Sequence, residues 1–241
     1  MLILAPPSEG KTSVNSTKIL FRDTDYCFNE QVHNILDILS NLEDVDIQKV
    51  YGTSLDKSKS IHSQNLNIYD SRCSLAIERY TGVVFKYLDW KSLNENEQIY
   101  LTKHLRIISG LFGILRPDNL IPNYKLKIEV LSLAQLWKTA ISNHIKTEDL
   151  ILDLLPAAHR KALEPTQNAV KINFMIEKNG KLTQSAHAGK VVKGKFIKYL
   201  AKNQVQNIDG IQYFKDDGYI WDGHYFIKRE SLIFKLIQIK C

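Results

Sequence analysis

Residues 101–129 read LTKHLRIISGLFGILRPDNLIPNYKLKIE, and the reading of this stretch decides the fold. Just upstream, Ser92 or Asn94 can cap a helix, and Glu95 and Glu97 suit the positive end of its dipole. Leu101, Leu105 and Ile108 follow at i, i+4 and i+7, which predicts that the helix runs on to Ile108 with one stripe facing a core. Ser109-Gly110 then breaks the pattern. Gly110 and Gly113 flank a short apolar run, where missing side chains let another backbone or a ligand come close. Arg116-Pro117-Asp118-Asn119 reads as a turn, with proline fixing φ and the Asx side chains able to bond their own backbone. Beyond Pro122, Tyr124, Leu126 and Ile128 alternate with Lys125, Lys127 and Glu129, as in a half-exposed strand.

Working towards the N-terminus, residues 1–5 read as a buried strand that feeds a loop at 6–12, PPSEGKT. Ala5 followed by Gly10-Lys11-Thr12 satisfies a relaxed phosphate-loop pattern, but the physics opposes it. Such a loop needs consecutive N–H groups turned inwards and a helix beneath them. Here Pro6 and Pro7 remove two donors, Glu9 brings a carboxylate, and SVNSTKILFRD shows no helical pattern. Ser8 and Lys11 remain candidates for an anion or ligand pocket at the strand's end, where α/β sheets bind ligands. Val32, Ile35, Leu36 and Leu39 predict a helix within 28–50, ending at an acidic turn of Glu43, Asp44 and Asp46. Residues 51–67 are polar and serine-rich, a loop or short helix at the surface. From 74 to 88 a helix is interrupted at Gly82. Its aromatics, Tyr80, Phe85, Tyr87 and Trp90, alternate with Val and Leu as core residues do.

Towards the C-terminus, 131–145 predicts a helix with Leu133, Leu136, Trp137 and Ile141 on one face. A buried strand at 150–155, a short basic helix at 157–163 and a strand at 170–177 follow. Asn179-Gly180 is a hairpin signal with Leu182 on the return strand. Residues 211–230 are aromatic-rich and read as short antiparallel strands closing the sheet. No linker, repeat or low-complexity tract divides the chain, so residues 1–241 are expected to form one mixed α/β (α+β) domain, a central mixed sheet flanked by helices.

With 44% hydrophobic and 24% charged residues, the 241-residue chain has the composition of a globular protein. No apolar run approaches the length that spans a bilayer, no signal-like leader is present, and the expectation is a cytoplasmic protein without membrane contact. Cys27, Cys73 and Cys241 form no disulfide or metal spacing, and neither His33 nor His62 has a ligand-spaced partner, so no metal and no cofactor is expected. The net charge of +6 is uneven. Residues 1–120 carry 13 Lys and Arg against 15 Asp and Glu, and residues 121–241 carry 19 against 11. The excess gathers between Lys178 and Lys202, which hold seven lysines and no acidic residue. There Val192, Phe196, Tyr199 and Leu200 form a core-facing stripe. Lys195, Lys198 and Lys202 take the other face, with Lys190 and Lys193 near its start. A row of ammonium groups on a packed helix is suited to phosphate backbones, binding by shape and charge without base readout.

The block LRIISGLFGILRPDNLIPNYKL closely resembles the signature of the YaaA family of bacterial peroxide-stress proteins. MLILAPPSEGKT, YTGVVFKYL, LWKTAISNHI and the HAGKVVKGKFIKYLAKN region resemble further family segments in the same order. The resemblance implies resistance to hydrogen peroxide through lower free iron and limited DNA damage. It implies a mixed α/β fold with a helix-hairpin-helix-like element beside a basic cleft that binds duplex DNA. Carried over, it puts Arg116, Lys190 and Lys193 in or near that cleft and matches Lys11 to a family lysine. Lys127 stands where the family has an acidic residue, and Glu129 where it has glycine.

Two functions follow as expectations. The first is sequence-nonspecific binding of duplex DNA through Arg116, Lys190, Lys193, Lys195 and Lys198, without turnover. The second is an enzyme acting on a phosphorylated or nucleotide-like small molecule, with Lys11 as phosphate clamp or nucleophile and Arg116 as anion ligand.

Overall fold

A computed structural model describes residues 1–183, 186–216, 218–224 and 226–229. The chain begins as β1 (Leu2–Ala5), every residue of which is buried. Then come α1 (Asn29–Ser40), α2 (Asp44–Tyr51) and α3 (Leu55–Leu66). Helix α1 buries the expected Val32, Ile35, Leu36 and Leu39. The acidic turn opens α2, where Asp44 and Asp46 sit in the first turn against the positive end of the dipole. Residues 51–67, expected as a loop or short surface helix, are largely α3, and its buried face is polar: Ser58, His62 and Asn65.

Two short pieces, β2 (Ser74–Leu75) and α4 (Ala76–Arg79), lead to α5 (Val83–Leu88) and α6 (Glu95–His104). Asn94 caps α6 in a capping box: its Oδ1 accepts from Glu97 N at 3.0 Å, and its N–H donates to Glu97 Oε2 at 2.9 Å. The helix does not run on to Ile108. It stops at His104, and residues Leu105–Ser109 are strand β3. Leu105, Ile107 and Ile108 satisfy a helical stripe and a strand buried on both faces alike. Pairing with β1, Ile3 opposite Leu105 and Ala5 opposite Ile107, selects the strand.

The rest comprises β4 (Gly113–Leu115), β5 (Leu120–Ile121), α7 (Leu133–Ile145), β6 (Ile151–Asp153), α8 (Ala157–Arg160) and β7 (Ala169–Lys171). After these come β8 (Phe174–Lys178), β9 (Lys181–Thr183), α9 (Ala186–Lys202), α10 (Ile208–Ile211), β10 (Tyr219–Trp221) and β11 (Phe226–Arg229). The main sheet has the order β4-β3-β1-β6-β7, parallel except for β4. Strands β2 and β5 form a small antiparallel pair.

The aromatic C-terminal strands do not close the main sheet. They build a second sheet, β10-β11-β8-β9, in which β11 runs parallel to β8. Phe174, Phe196, Phe214 and Phe226 join this sheet to α9, with ring centroids 5.1–6.3 Å apart. On its other side α9 crosses α5. A Cβ on Gly194 would lie 2.3 Å from the Val84 carbonyl oxygen, so only glycine permits that approach.

Residues 124–129 bury Tyr124, Leu126 and Ile128 and leave Lys127 and Glu129 exposed, as alternation predicts, yet they belong to no sheet. Asn65 pairs with Lys125 instead of a neighbouring strand, and Gln64 donates to Asn123 O at 2.9 Å. Among the described residues no helix is long and apolar enough to cross a membrane. Cys73 is buried and Cys27 exposed; Cys241 lies outside the described residues.

Candidate functional site

Strand order alone picks out a location. From β1 the chain builds β3 and β4 on one side, then returns to lay β6 and β7 on the other. The crevice at the carboxyl ends of β1 and β6, where the direction of winding reverses, is where open α/β sheets bind ligands. A cavity of about 790 Å³ opens there. The loops after β1, β6 and β7 line it, together with the start of α5 and residues Gly189, Lys190 and Lys193 of α9.

Its walls are basic: Arg160, Lys171, Lys190 and Lys193 all line it. Arg160 is anchored by the loop after β6, where its Nε donates to the buried Asp153 carboxylate and its Nη2 to Leu155 O at 2.6 Å. Asp153 also accepts from Leu155 N at 2.7 Å. Lys193 reaches across from α9 and donates to Leu154 O at 2.6 Å. Burial pushes its pKa down, and Arg160 and Lys171 add to the effect against the attraction of Asp153. Lys190 is exposed at the rim. Glu9 shares the wall, and its carboxylate is paired with Lys127 at 3.1 Å.

A smaller pocket of about 90 Å³ adjoins this cavity and shares Pro7, Ser8, Glu9 and His159 with it. Lys11 lies in it. The loop after β1 is sewn to the α4–α5 connection. Ser8 Oγ accepts from Gly82 N at 3.1 Å, Thr81 N donates to Gly10 O at 3.1 Å, and Thr12 N donates to Arg79 O at 3.0 Å. Arg79, fully buried, donates to Thr12 O, Val14 O and Asn15 Oδ1 and fixes the next turn of chain. Extended chain follows, with no helix beneath the loop, as the proline and glutamate positions imply.

The Lys11 ammonium donates to Ser8 O at 3.0 Å and sits 4.2 Å from the Tyr124 ring centroid and 5.3 Å from that of Tyr80. Tyr124, Tyr80 and Ser109 are joined by hydroxyl hydrogen bonds of 2.6–2.7 Å. Burial lowers the Lys11 pKa to about 8; Glu9 opposes the shift, while Lys125 and Arg79 add to it. His159 lies on the wall common to both pockets. Burial holds its imidazole below the usual pKa, and its buried Nδ1 has no hydrogen-bond partner.

Of the residues expected at the site, Ser8, Lys11, Lys190 and Lys193 are brought to this pair of pockets. Arg116 is not. Strand β4 runs antiparallel to β3, so its carboxyl end leaves from the opposite end of the sheet. Arg116 there forks onto Asp118 at 2.6 and 3.0 Å, beside Thr102, Lys103 and Arg106. Lys195 and Lys198 do not extend a free row of charge. Lys195 pairs with Asp216 and Lys198 with Asp89, each at 2.9 Å, carboxylates from outside the acid-free segment. Sequence spacing missed Asp153, His159, Arg160 and Tyr124, because nothing links them to Lys11 until β6 is known to lie beside β1. Among the described residues no group of three or more His, Cys, Asp or Glu side chains is placed to hold a metal ion.

The family model described as peroxide stress protein YaaA matches residues 1–224. A UPF0246 protein of Limosilactobacillus reuteri is 30% identical over 253 aligned positions, covering 99% of this chain and all of the relative. UPF0246 proteins of Lactobacillus johnsonii and Finegoldia magna are each 28% identical. The first covers 97% of this chain and 96% of itself, the second 84% and 86%.

Proposed function

The chain belongs to the peroxide stress protein YaaA family, and on that premise we propose that it acts by holding duplex DNA across the basic cleft. In this reading Lys190 and Lys171 meet phosphates at the rim, Lys193 and Arg160 supply positive potential behind them, and the covered DNA is shielded from iron-dependent oxidation. The observation that carries it is the gathering of four cationic side chains from β7, α8 and α9 around one opening. Backbone contacts of this kind give affinity without sequence preference. In this reading α4 and α5, joined by residues 80–82, would serve as the helix-hairpin-helix-like element, with Gly82 at the cavity.

The test is a fluorescence-anisotropy titration with short duplex DNA at two salt concentrations. Binding that weakens steeply with salt, and is lost in Lys190→Ala combined with Lys193→Ala, is the expected result. Unchanged affinity in a folded double variant would refute it.

A second reading is favoured by the cavity's volume, about 790 Å³, which suits a small molecule and is too small for a duplex. The cleft would then accept a phosphorylated or nucleotide-like compound, its phosphate towards Lys193 and Arg160. Inhibition of DNA binding by inorganic phosphate at constant ionic strength is expected if the two ligands share those cations.

A further inference from the structure

We propose that Lys11 is the reactive amine of this cleft and condenses with phosphorylated aldehydes or ketones, the phosphate resting on the Arg160–Lys193 side and the carbonyl beside Lys11. The proposal rests on the second reading and names its ligand class.

Three features of the geometry point to it. The amine is held on two sides by the rings of Tyr124 and Tyr80 and aimed by its bond to Ser8 O, which fixes its direction without neutralising it through a carboxylate. The pocket it occupies, about 90 Å³, is the size of a carbonyl group with its substituents and adjoins the large basic cavity across the shared residues Pro7, Ser8, Glu9 and His159. The shared wall carries His159, whose imidazole is kept by burial below its usual pKa and so is able to accept a proton beside the site where one must move. A buried lysine among other cations is the environment that activates an amine. The neutral fraction of Lys11 near neutral pH is on the order of a hundredfold above that of an exposed lysine.

The chemistry balances with these groups alone. The neutral amine adds its lone pair to the carbonyl carbon, and the π electrons move to the carbonyl oxygen. His159 takes the proton released by nitrogen and returns it to that oxygen, giving a carbinolamine. Loss of the hydroxyl as water, with loss of the second N–H proton, forms the imine. Buried hydroxyls of Tyr124 and Tyr80 stay protonated, because burial raises the pKa of both, that of Tyr124 up to about 12.

The probe is pyridoxal 5′-phosphate, an aldehyde bearing a phosphate, with borohydride reduction and peptide mass spectrometry to locate the adduct. Lys11 is expected to carry it at a rate at least ~10-fold above exposed Lys190, with pyridoxal lacking phosphate reacting ~10-fold more slowly. Lys193→Ala should slow the phosphorylated probe and leave pyridoxal unchanged, a split that a general loss of structure would not give. His159→Asn should slow both. Adducts spread over surface lysines with Lys11 unmodified, in wild-type protein, would overturn the proposal. So would an equal rate for the two aldehydes. The duplex titration is read separately: labelling of Lys11 without DNA binding removes only the DNA reading, and DNA binding without labelling removes only this one.

Discussion

Asn65 and Lys125 are joined in both directions: Lys125 N donates to Asn65 Oδ1 at 3.0 Å, and Asn65 Nδ2 donates to Lys125 O at 2.8 Å. A side chain on α3 thus makes the pair of bonds that a neighbouring strand would make, and the alternating segment 124–129 lies extended without a sheet. Asn65→Ala removes both partners and leaves two backbone groups unpaired. The expected loss is about 2–4 kcal/mol in urea unfolding. Asn65→Asp keeps the acceptor and loses the donor, so it should fall between the two.

Gly110 meets the same segment. A Cβ there would lie 2.7–2.8 Å from Leu126 O, Ile128 N and Lys127 C, all main-chain atoms that cannot swing aside. Gly110→Ala is expected to cost about 1–3 kcal/mol or more. Because Tyr124 and Lys11 sit on this segment's other contacts, it should also shift the Lys11 reactivity measured with the aldehyde probe.

Lys11 gives a pH signature. In the folded protein it releases its proton at about 8, whereas the unfolded chain holds it to about 10.5. Between those values the unfolded state binds more protons, so rising pH favours the folded state. Wild type should therefore gain stability relative to Lys11→Met as pH climbs from 8 to 10.5, with a flat difference below and above. Paired denaturant titrations across that range check it; a difference that falls with pH would contradict the burial of the amine.

Lys195 and Lys198 are already engaged by Asp216 and Asp89. Their joint replacement by alanine should change the slope of log affinity for duplex DNA against log salt by less than about 1. Lys190→Ala with Lys193→Ala should reduce it by roughly 1 or more, since Lys190 meets a phosphate directly and Lys193 supports it from behind.

Arg160 holds the Asp153 carboxylate, which is 5% exposed. Arg160→Leu leaves that charge without its cation, and the expected cost is about 2–4 kcal/mol, less than for a fully enclosed pair since Arg160 is partly solvated. Urea unfolding curves of the wild type and the variant at one pH test this.

How much of this was legible beforehand differs from element to element. Helices α1 and α7 announce themselves, because their apolar residues share one face and their polar residues are free to be exposed. Segment 105–109 does not: its run is apolar enough to fit either period, and only β1, a hundred residues earlier, settles it. Helix α3 is hidden for the opposite reason, since what it buries is Ser58, His62 and Asn65, side chains whose usefulness is hydrogen bonding and not hydropathy. At the site, Ser8 and Lys11 were visible as the end of a strand, and Lys190 and Lys193 as the start of a basic helix. His159 and Arg160 were not. Their meaning comes from the register of β6 against β1, Leu2 opposite Ile151, which no local pattern records. The acid-free run 178–202 misled in a particular way: Asp89 and Asp216 come from elsewhere in the chain and neutralise part of it.

The central place of β1 has a bearing on biosynthesis. Made before its partners, this wholly apolar strand needs Leu105–Ser109 on one edge and Ile151–Asp153 on the other. At 5–20 residues per second the nascent chain waits on the order of ten seconds for both partners to leave the ribosome. During that interval two open strand edges are offered to any passing chain, so sequestration by a chaperone at the exit tunnel would raise the yield of folded protein.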